Sequence, residues 1–177
     1  MSRLTCLLCA LAAPVGAEEI LLFVPPEGFV QIYAGEDAAG GIVEFVPEGQ
    51  TLDDWQQMAS VTWANALGGE PPRVMVEALL GGMAAQCPDG TAGVLWQGAQ
   101  YGYDVEVLSF TCPVNVRGER VTESTFAKVI GGVEAAYTIL IAWQGAAEEA
   151  VVQGYMDWTV PQGLCITDDP ARACPDP

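Results

Sequence analysis

The chain has 177 residues, of which 23 are acidic, six are basic and none is histidine, so its formal net charge is −17 at neutral pH. A negative field of this size repels nucleic acid and anionic membrane surfaces. The absence of histidine excludes catalytic triads with an imidazole base and metal centres with imidazole ligands. Composition therefore restricts the function to classes that need neither a basic surface nor a histidine.

The first 17 residues have the pattern of a secretory signal peptide. Arg3 supplies a positive charge, and an uncharged apolar run of ten residues follows over residues 4–13. Pro14 then precedes small or apolar residues, which predicts cleavage between Ala17 and Glu18. A spanning helix needs about 20 residues, so we expect no stable membrane anchor. The sequence thus predicts a periplasmic or secreted protein.

The remaining residues, 18–177, have the length of one domain with a substantial core. Cleavage after Ala17 leaves 23 acidic and five basic side chains, a net charge of −18. Acidity at this level is ordinarily a property of a solvated surface, and it also favours cationic partners. We therefore expect a protein partner or a cation as the ligand, and no nucleic acid.

The first half of the domain is predicted to contain short strands and one short helix. The predicted strands are residues 20–24, 29–33 and 42–46, and residues 35–41 are predicted to form a loop. Thr51 has the properties of a helix N-cap, because Asp53 and Asp54 follow where they complement the helix dipole. This pattern predicts a helix over residues 52–59.

The second half is predicted to contain two longer helices and two hairpins. Pro71 and Pro72 favour a helix start before residues 73–86, and Pro161 ends an amphipathic segment over residues 148–158. The predicted strands are residues 60–65, 93–101, 103–111, 125–130 and 135–143. The whole pattern predicts a single α+β domain, in which a mainly antiparallel β-sheet is packed by about three helices.

Four cysteines remain after cleavage, namely Cys87, Cys112, Cys165 and Cys174. An even number of cysteines in an exported protein indicates disulfides, and three pairings are open. We favour Cys87–Cys112 and Cys165–Cys174, because the second pair would staple a tail, residues 165–177, that is rich in proline and aspartate. A zinc site is the competing interpretation, but the chain lacks the usual C-x-x-C spacing in this domain and has no histidine.

No motif in the sequence assigns a catalytic residue, a cofactor or a metal site. The glycine-rich loops that bind nucleotides are absent, and disulfides explain the four cysteines better than nucleophilic catalysis does. Acid–base chemistry by two carboxylates remains as an alternative. Alternation along the predicted strand puts Asp104 and Glu106 on one face, which gives this pair a defined mutual geometry. The other acidic pairs are Asp53–Asp54 and Asp168–Asp169.

Two loops and one tryptophan are weaker candidates for binding. Acidic residues at 35–37 and 167–169 carry the oxygen ligands that calcium prefers, without the spacing of an EF-hand loop. Trp96 is the tryptophan with the best case for an exposed, sugar-stacking surface, because Gln97 and Gln100 lie in the same predicted strand. Packing in the core is nevertheless the interpretation that we favour for Trp96.

Three local patterns carry a resemblance to known proteins. They are Glu44-Phe45-Val46-Pro47 with Gly49 and Leu52-Asp53-Asp54-Trp55, the run from Gly132 to Trp143 with Ala136-Tyr137, and Leu164-Cys165-Ile166-Thr167-Asp168 followed by Cys174-Pro175. These patterns resemble a group of small exported proteins of Gram-negative bacteria that has no assigned activity. The resemblance implies a periplasmic setting and paired cysteines near the C-terminus, and it transfers no active-site residue. The order of strands and helices is also similar to that of the PsbP-like sheet domain, an accessory fold without chemistry of its own.

The function predicted from these features is that of a non-enzymatic accessory or binding domain of the periplasm. A carboxylate-dependent hydrolase that uses Asp104 and Glu106 is one alternative. An envelope structural or interaction subunit that associates through an exposed sheet edge is another. The hydrolase requires both carboxyl groups in one accessible cleft, so the geometry of this pair bears directly on it.

Overall fold

The computed structural model describes residues 18–114 and 118–175, so the predicted signal peptide and Ala17 at its cleavage site lie outside the described residues. The strands are β1 (Ile20–Leu22), β2 (Phe29–Asp37), β3 (Gly40–Pro47), β4 (Gln57–Ala64), β5 (Thr91–Gln100), β6 (Tyr103–Cys112), β7 (Glu123–Gly131), β8 (Ala136–Gln144) and β9 (Gly163–Cys165). The helices are α1 (Pro72–Gln86) and α2 (Glu149–Thr159), with a 3₁₀ turn at Asn65–Leu67.

Seven strands form one antiparallel sheet in the order β2-β3-β4-β8-β7-β6-β5. The chain builds this sheet as two meanders, β2 to β4 and β5 to β8, which join in the middle where β4 pairs with β8. Helix α1 carries the chain from the central strand β4 to the far edge at β5. The fold is thus a single α+β domain with a mainly antiparallel sheet, as the sequence predicts, and β2 and β5 are the edges of that sheet.

The two faces of the sheet carry different helices. Alternation along β7 places Phe126 and Ile130 on one face, in a core that includes Tyr155 of α2. Ala127 and Val129 lie on the other face, packed against α1. Both faces of β7 are thus covered, and residues 124–130 of this strand are all buried. We call the two sides of the sheet the α2 face and the α1 face.

The two ends of the described chain lie together. Strand β1 pairs antiparallel with β9, and both pack into the same core as α2. The Glu19 carboxylate accepts hydrogen bonds from the backbone N–H groups of Val133 and Glu134 at 2.6 and 2.9 Å. These bonds satisfy backbone donors in the turn between β7 and β8, so they tie the start of the domain to the sheet.

The short helix expected at residues 52–59 is wrong, so the described chain has two α-helices where about three were expected. The Thr51 hydroxyl accepts a bond from the backbone N–H of Asp53 at 3.3 Å, which closes a local turn in place of a helix cap. Trp55 is buried against the α1 face, and β4 begins two residues later. Tertiary packing therefore overrides the capping signal.

The loop expected at residues 35–41 is also mostly strand. Strands β2 and β3 extend to Asp37 and from Gly40, which leaves Ala38 and Ala39 as the hairpin turn. The side chain of Asp37 accepts a bond from the backbone N–H of Ala39 at 2.8 Å and stabilises this turn. The small and acidic residues at 35–41 therefore indicate a turn of two residues and not a loop of seven.

Candidate functional site

The cysteines lie in the pairing favoured from the sequence. The Cys87 and Cys112 sulfurs are 2.03 Å apart, and they connect the end of α1 to the end of β6. The Cys165 and Cys174 sulfurs are also 2.03 Å apart, and they hold the tail to β9. The first pair therefore ties α1 to the seven-stranded sheet, and the second ties the tail to the two-stranded sheet of β1 and β9.

The carboxylates of Asp104 and Glu106 do not form an accessible pair. Glu106 is buried, with 6% of its surface exposed, and it forms an ion pair with Arg73 at 2.9 Å. Asp104 is exposed and has no hydrogen-bond or ion-pair partner within the described residues. Both residues lie on the α1 side of β6. The ion pair between Arg73 and Glu106 connects the start of α1 to the sheet, so the Glu106 carboxylate already has a partner. The geometry thus offers one free carboxylate where a glycosidase-like site needs two.

The other acidic candidates lie in three separate places on the surface. Asp53 and Asp54 are in the turn before β4, and Glu36 and Asp37 end β2 at the opposite edge from β5. Asp169 accepts a bond from the backbone N–H of Ala171 and pairs with Arg172 at 3.4 Å within the tail. No group of three or more candidate metal ligands occurs among residues 18–114 and 118–175.

Trp96 is exposed, with 45% of its surface accessible, so the core packing that we favoured for it is wrong and the sugar-stacking alternative keeps the exposed ring that it requires. Its indole lies against Gly98, where an added Cβ would stand 2.3 Å from the ring. Trp55 and Trp143 are buried in the core. The indole of Trp96 thus occupies the space that a side chain at position 98 would need. The ring lies on the α2 side of edge strand β5.

A cavity of about 300 Å³ opens beneath this indole, between the edge of the sheet and the end of α2. We call it the Trp96 cavity. Strands β5 to β7 and the C-terminal end of α2 supply its walls. Its lining residues are Trp96, Ala99, Gln100, Val107, Phe126, Lys128, Met156, Thr159 and Val160. Most of these side chains are apolar, so the cavity suits an apolar or aromatic group.

Lys128 lies at the inner wall of the Trp96 cavity, and 4% of its surface is exposed. Its ammonium group donates to the backbone carbonyls of Thr159 and Gln162 at 3.2 and 2.5 Å, and to the side-chain oxygen of Gln100. Burial lowers the pKa of Lys128 to about 8. An ammonium group has three donors, so these three acceptors use all of them.

The position of Lys128 follows from strand alternation and from the end of α2. Lys128 shares the α2 face of β7 with Phe126 and Ile130. Thr159 is the last residue of α2, and the free carbonyls at a helix C-terminus attract a cation. Lys128 is the site residue that sequence reasoning missed. Its signal was a single charge among inward-facing apolar positions of a predicted strand.

A second recess, the α1 groove, lies on the other face, where α1 leaves part of the sheet uncovered. It has a volume of about 680 Å³, with Met58 and Leu140 on its floor and Met83 on its helical wall. Glu44 lies on the opposite wall, and burial raises the pKa of its carboxyl group above the ordinary value. The α1 groove has a larger volume than the Trp96 cavity, and both polar and apolar groups line it.

Comparison of the chain with protein-family models and with curated protein sequences finds no match. Within the described residues, no helix combines the length and apolar character needed to cross a membrane.

Proposed function

We propose that this chain is an exported, non-enzymatic accessory or binding domain, and that it holds an apolar or aromatic group of its ligand in the Trp96 cavity. The setting is the periplasm, in keeping with the signal-peptide pattern, the two cysteine pairs and the resemblance to small exported proteins of Gram-negative bacteria.

The bonding of Lys128 is the observation that supports binding over catalysis. A catalytic lysine needs an amine that can leave its hydrogen bonds and reach the substrate. The Lys128 ammonium donates to two backbone carbonyls and to Gln100, and the Gln100 amide in turn donates to the Val160 carbonyl at 2.7 Å. Polar groups of the cavity are thus bonded to one another, which leaves apolar surface as the main source of affinity.

Fragment binding followed by NMR tests this proposal. Indole and benzyl alcohol, as neutral aromatic probes, are titrated into ¹⁵N-labelled protein that begins at Glu18. We expect shift changes at the Trp96 indole N–H and the Gln100 side-chain amide, with dissociation constants in the range of about 1 mM.

A filled cavity provides the matched test. Val107 faces the Trp96 cavity from β6, so Val107→Phe places a ring in the space that the fragment would use. We expect this variant to weaken fragment binding by about tenfold or more. Val30→Phe on the exposed edge strand β2 serves as the control and should bind like the wild type. Equal binding by Val107→Phe, or no fragment response near Trp96, would contradict the proposal.

A further inference from the structure

We infer that β5 accepts an extended, positively charged segment of a partner protein as an eighth strand, with one apolar side chain of that segment in the Trp96 cavity. This inference rests on the proposed function, because the same cavity anchors the added strand. The composition of β5, its pairing geometry and the charge beside it all favour this occupant.

Strand β5 lacks two of the features that ordinarily prevent pairing at a sheet edge. Charged residues and proline protect most natural edges, and Thr91–Gln100 contains neither. Its exposed side chains include Val94, Leu95 and Trp96, in a chain whose net charge is −17. An exposed strand of ten residues without a charge therefore contrasts with the acidic composition of the chain.

The pairing of β5 leaves a regular half-strand available. An irregularity in register lies between Val94 and Trp96, and from Trp96 to Gln100 each residue pairs in sequence with one on β6. Among residues 18–114 and 118–175, β6 is the only strand that pairs with β5, so the outward backbone groups of this half-strand have no strand partner there. Backbone bonds to such an edge supply the affinity of strand addition, and side-chain pockets supply specificity.

Successive side chains of the added strand would point to opposite faces of the sheet. Residues on one side of it would face the Trp96 cavity, and their neighbours would face Asp104. Asp104 pairs with Ala99 across β5 and β6, and it has no partner within the described residues. Because Ala99 is small, a lysine or arginine on the added strand can reach over it to the Asp104 carboxylate.

The net negative charge of the chain favours a basic partner protein over a second copy of the chain as the occupant of the β5 edge. A second copy would bring the same large negative charge to the interface, and like charges oppose association at low ionic strength. A basic segment gains the long-range attraction and the local contact with Asp104. The occupant that the observations favour is thus a basic, extended peptide with one large apolar residue.

Synthetic peptides test this inference on protein that begins at Glu18. The probe is the blocked nonapeptide TKTKFKTKT, which presents lysines on one side of a strand and a single phenylalanine on the other. Comparison peptides replace phenylalanine with alanine, replace lysine with glutamate, or carry N-methyl groups that remove backbone donors. We expect calorimetry at low salt to rank each of these at least about tenfold weaker than the probe.

Two variants locate the contact. Asp104→Asn should weaken the probe by about threefold through loss of one charge contact, whereas Glu36→Gln at the other edge of the sheet should leave the affinity unchanged. Amide hydrogen exchange should slow in β5 when the probe is bound, and not in β2.

The outcomes separate this inference from the proposed function. If fragments bind beneath Trp96 but the N-methylated or acidic peptide binds as well as the probe, strand addition by a basic segment is wrong and the cavity proposal stands. If the chain dimerises through β5 at micromolar concentration, a second copy is the occupant and the inference is overturned. If neither fragments nor peptides bind, both proposals fail.

Discussion

The two edges of the sheet are built alike but protected differently. Each has a register irregularity, between Gln31 and Tyr33 in β2 and between Val94 and Trp96 in β5. At each edge an aromatic ring also lies against a glycine two residues later, since an added Cβ would stand 2.7 Å from the Tyr33 hydroxyl at Gly35 and 2.3 Å from the Trp96 ring at Gly98. A register irregularity and an aromatic–glycine pair are thus common to both edges, so neither feature distinguishes β5 from β2.

The difference between the edges lies in charge and in what is beneath the strand. Strand β2 ends in Glu36 and Asp37, and its Ile32 packs with the buried side chains of Val46 and Trp55. Strand β5 has no charge, and the Trp96 cavity lies beneath it. Strand β5 is uncharged and lies over a cavity, so it offers both backbone hydrogen-bonding groups and a side-chain pocket to an added strand. Strand β2 does not combine these two properties.

Removing the disulfide beside β5 should have the largest effect on stability. Cys87 and Cys112 are 25 residues apart, and the chain-entropy estimate gives a loss of roughly 3.5 kcal/mol for Cys87→Ala with Cys112→Ala. Urea denaturation measures this loss. Because the bond joins the segments flanking the β5–β6 hairpin, hydrogen exchange should accelerate in β5 more than in β2.

The second disulfide is the matched control for this effect. Cys165 and Cys174 are nine residues apart, so their replacement by alanine should cost roughly 2.5 kcal/mol. Exchange in β5 should remain close to that of the wild type in this control. Equal acceleration at both edges in the Cys87–Cys112 variant would show that the two edges are equally tied to the sheet.

Replacing Lys128 by methionine should remove about 2 kcal/mol at pH 7, because three buried acceptors lose their donor. The difference from the wild type should also depend on pH. Burial lowers the pKa of Lys128 to about 8 from an ordinary value of 10.5, so the folded state loses this proton before the unfolded state does. Between these values the wild type therefore gains stability as pH rises, by at most about 1.4 kcal/mol per pH unit.

Urea denaturation of both proteins at pH 7, 8.5 and 9.5 checks this expectation. The free energy of unfolding of the wild type should rise relative to that of Lys128→Met above pH 8. Tyrosine ionisation at high pH affects both proteins and cancels in the difference. If the difference in free energy of unfolding between the two proteins stays constant from pH 7 to pH 9.5, the pKa of Lys128 is not lowered by burial.

Truncation of the edge aromatics should have a smaller, unequal effect. Trp96→Ala removes one wall of the Trp96 cavity and uncovers Gly98, and we expect a loss of about 1.5 kcal/mol together with weaker binding of indole. Tyr33→Ala at β2 should cost about 0.7 kcal/mol and leave indole binding unchanged. Thermal unfolding and the NMR titration measure the two effects, and equal loss of binding in both variants would remove the distinction between the edges.

A methyl group added to each edge glycine should give the smallest differences. In Gly98→Ala the new Cβ meets the rigid indole of Trp96, which must swing away, and we expect a cost of about 1 kcal/mol. In Gly35→Ala the Cβ meets the hydroxyl end of Tyr33, which can move more freely, so the cost should be about half as large. Denaturation midpoints at equal slope check this order.

Much of the architecture was predictable from local patterns. The hairpin of β7 and β8 and the helix α1 lie close to their predicted positions, because period-two alternation and a paired-proline start are short-range signals. The helix expected at residues 52–59 failed where a long-range contact, burial of Trp55 on the sheet, outweighed a local cap. Strand β9 escaped prediction since its three residues gain strand geometry by pairing with β1, far away in sequence.

The candidate site was predictable in one part. The polar neighbours of Trp96 made it a candidate for an exposed surface, but core packing was the favoured interpretation, and the structure instead leaves the ring exposed beside the cavity. Lys128 was not, because its acceptors at Thr159 and Gln162 lie 31 and 34 residues away. The pairing of Glu106 with Arg73 was equally hidden, and it removed the accessible carboxylate pair that strand alternation had suggested.

By itself, the sequence determined the α+β class, the negative charge, most strand positions and the absence of charge along β5, since these depend on composition and on neighbours within a few residues. Tertiary structure decided that β5 is an edge, that a cavity lies beneath it and that Lys128 is enclosed there. Those properties depend on how β5, β7 and α2 approach one another. Gaps between packed elements arise from long-range geometry, which no local pattern records.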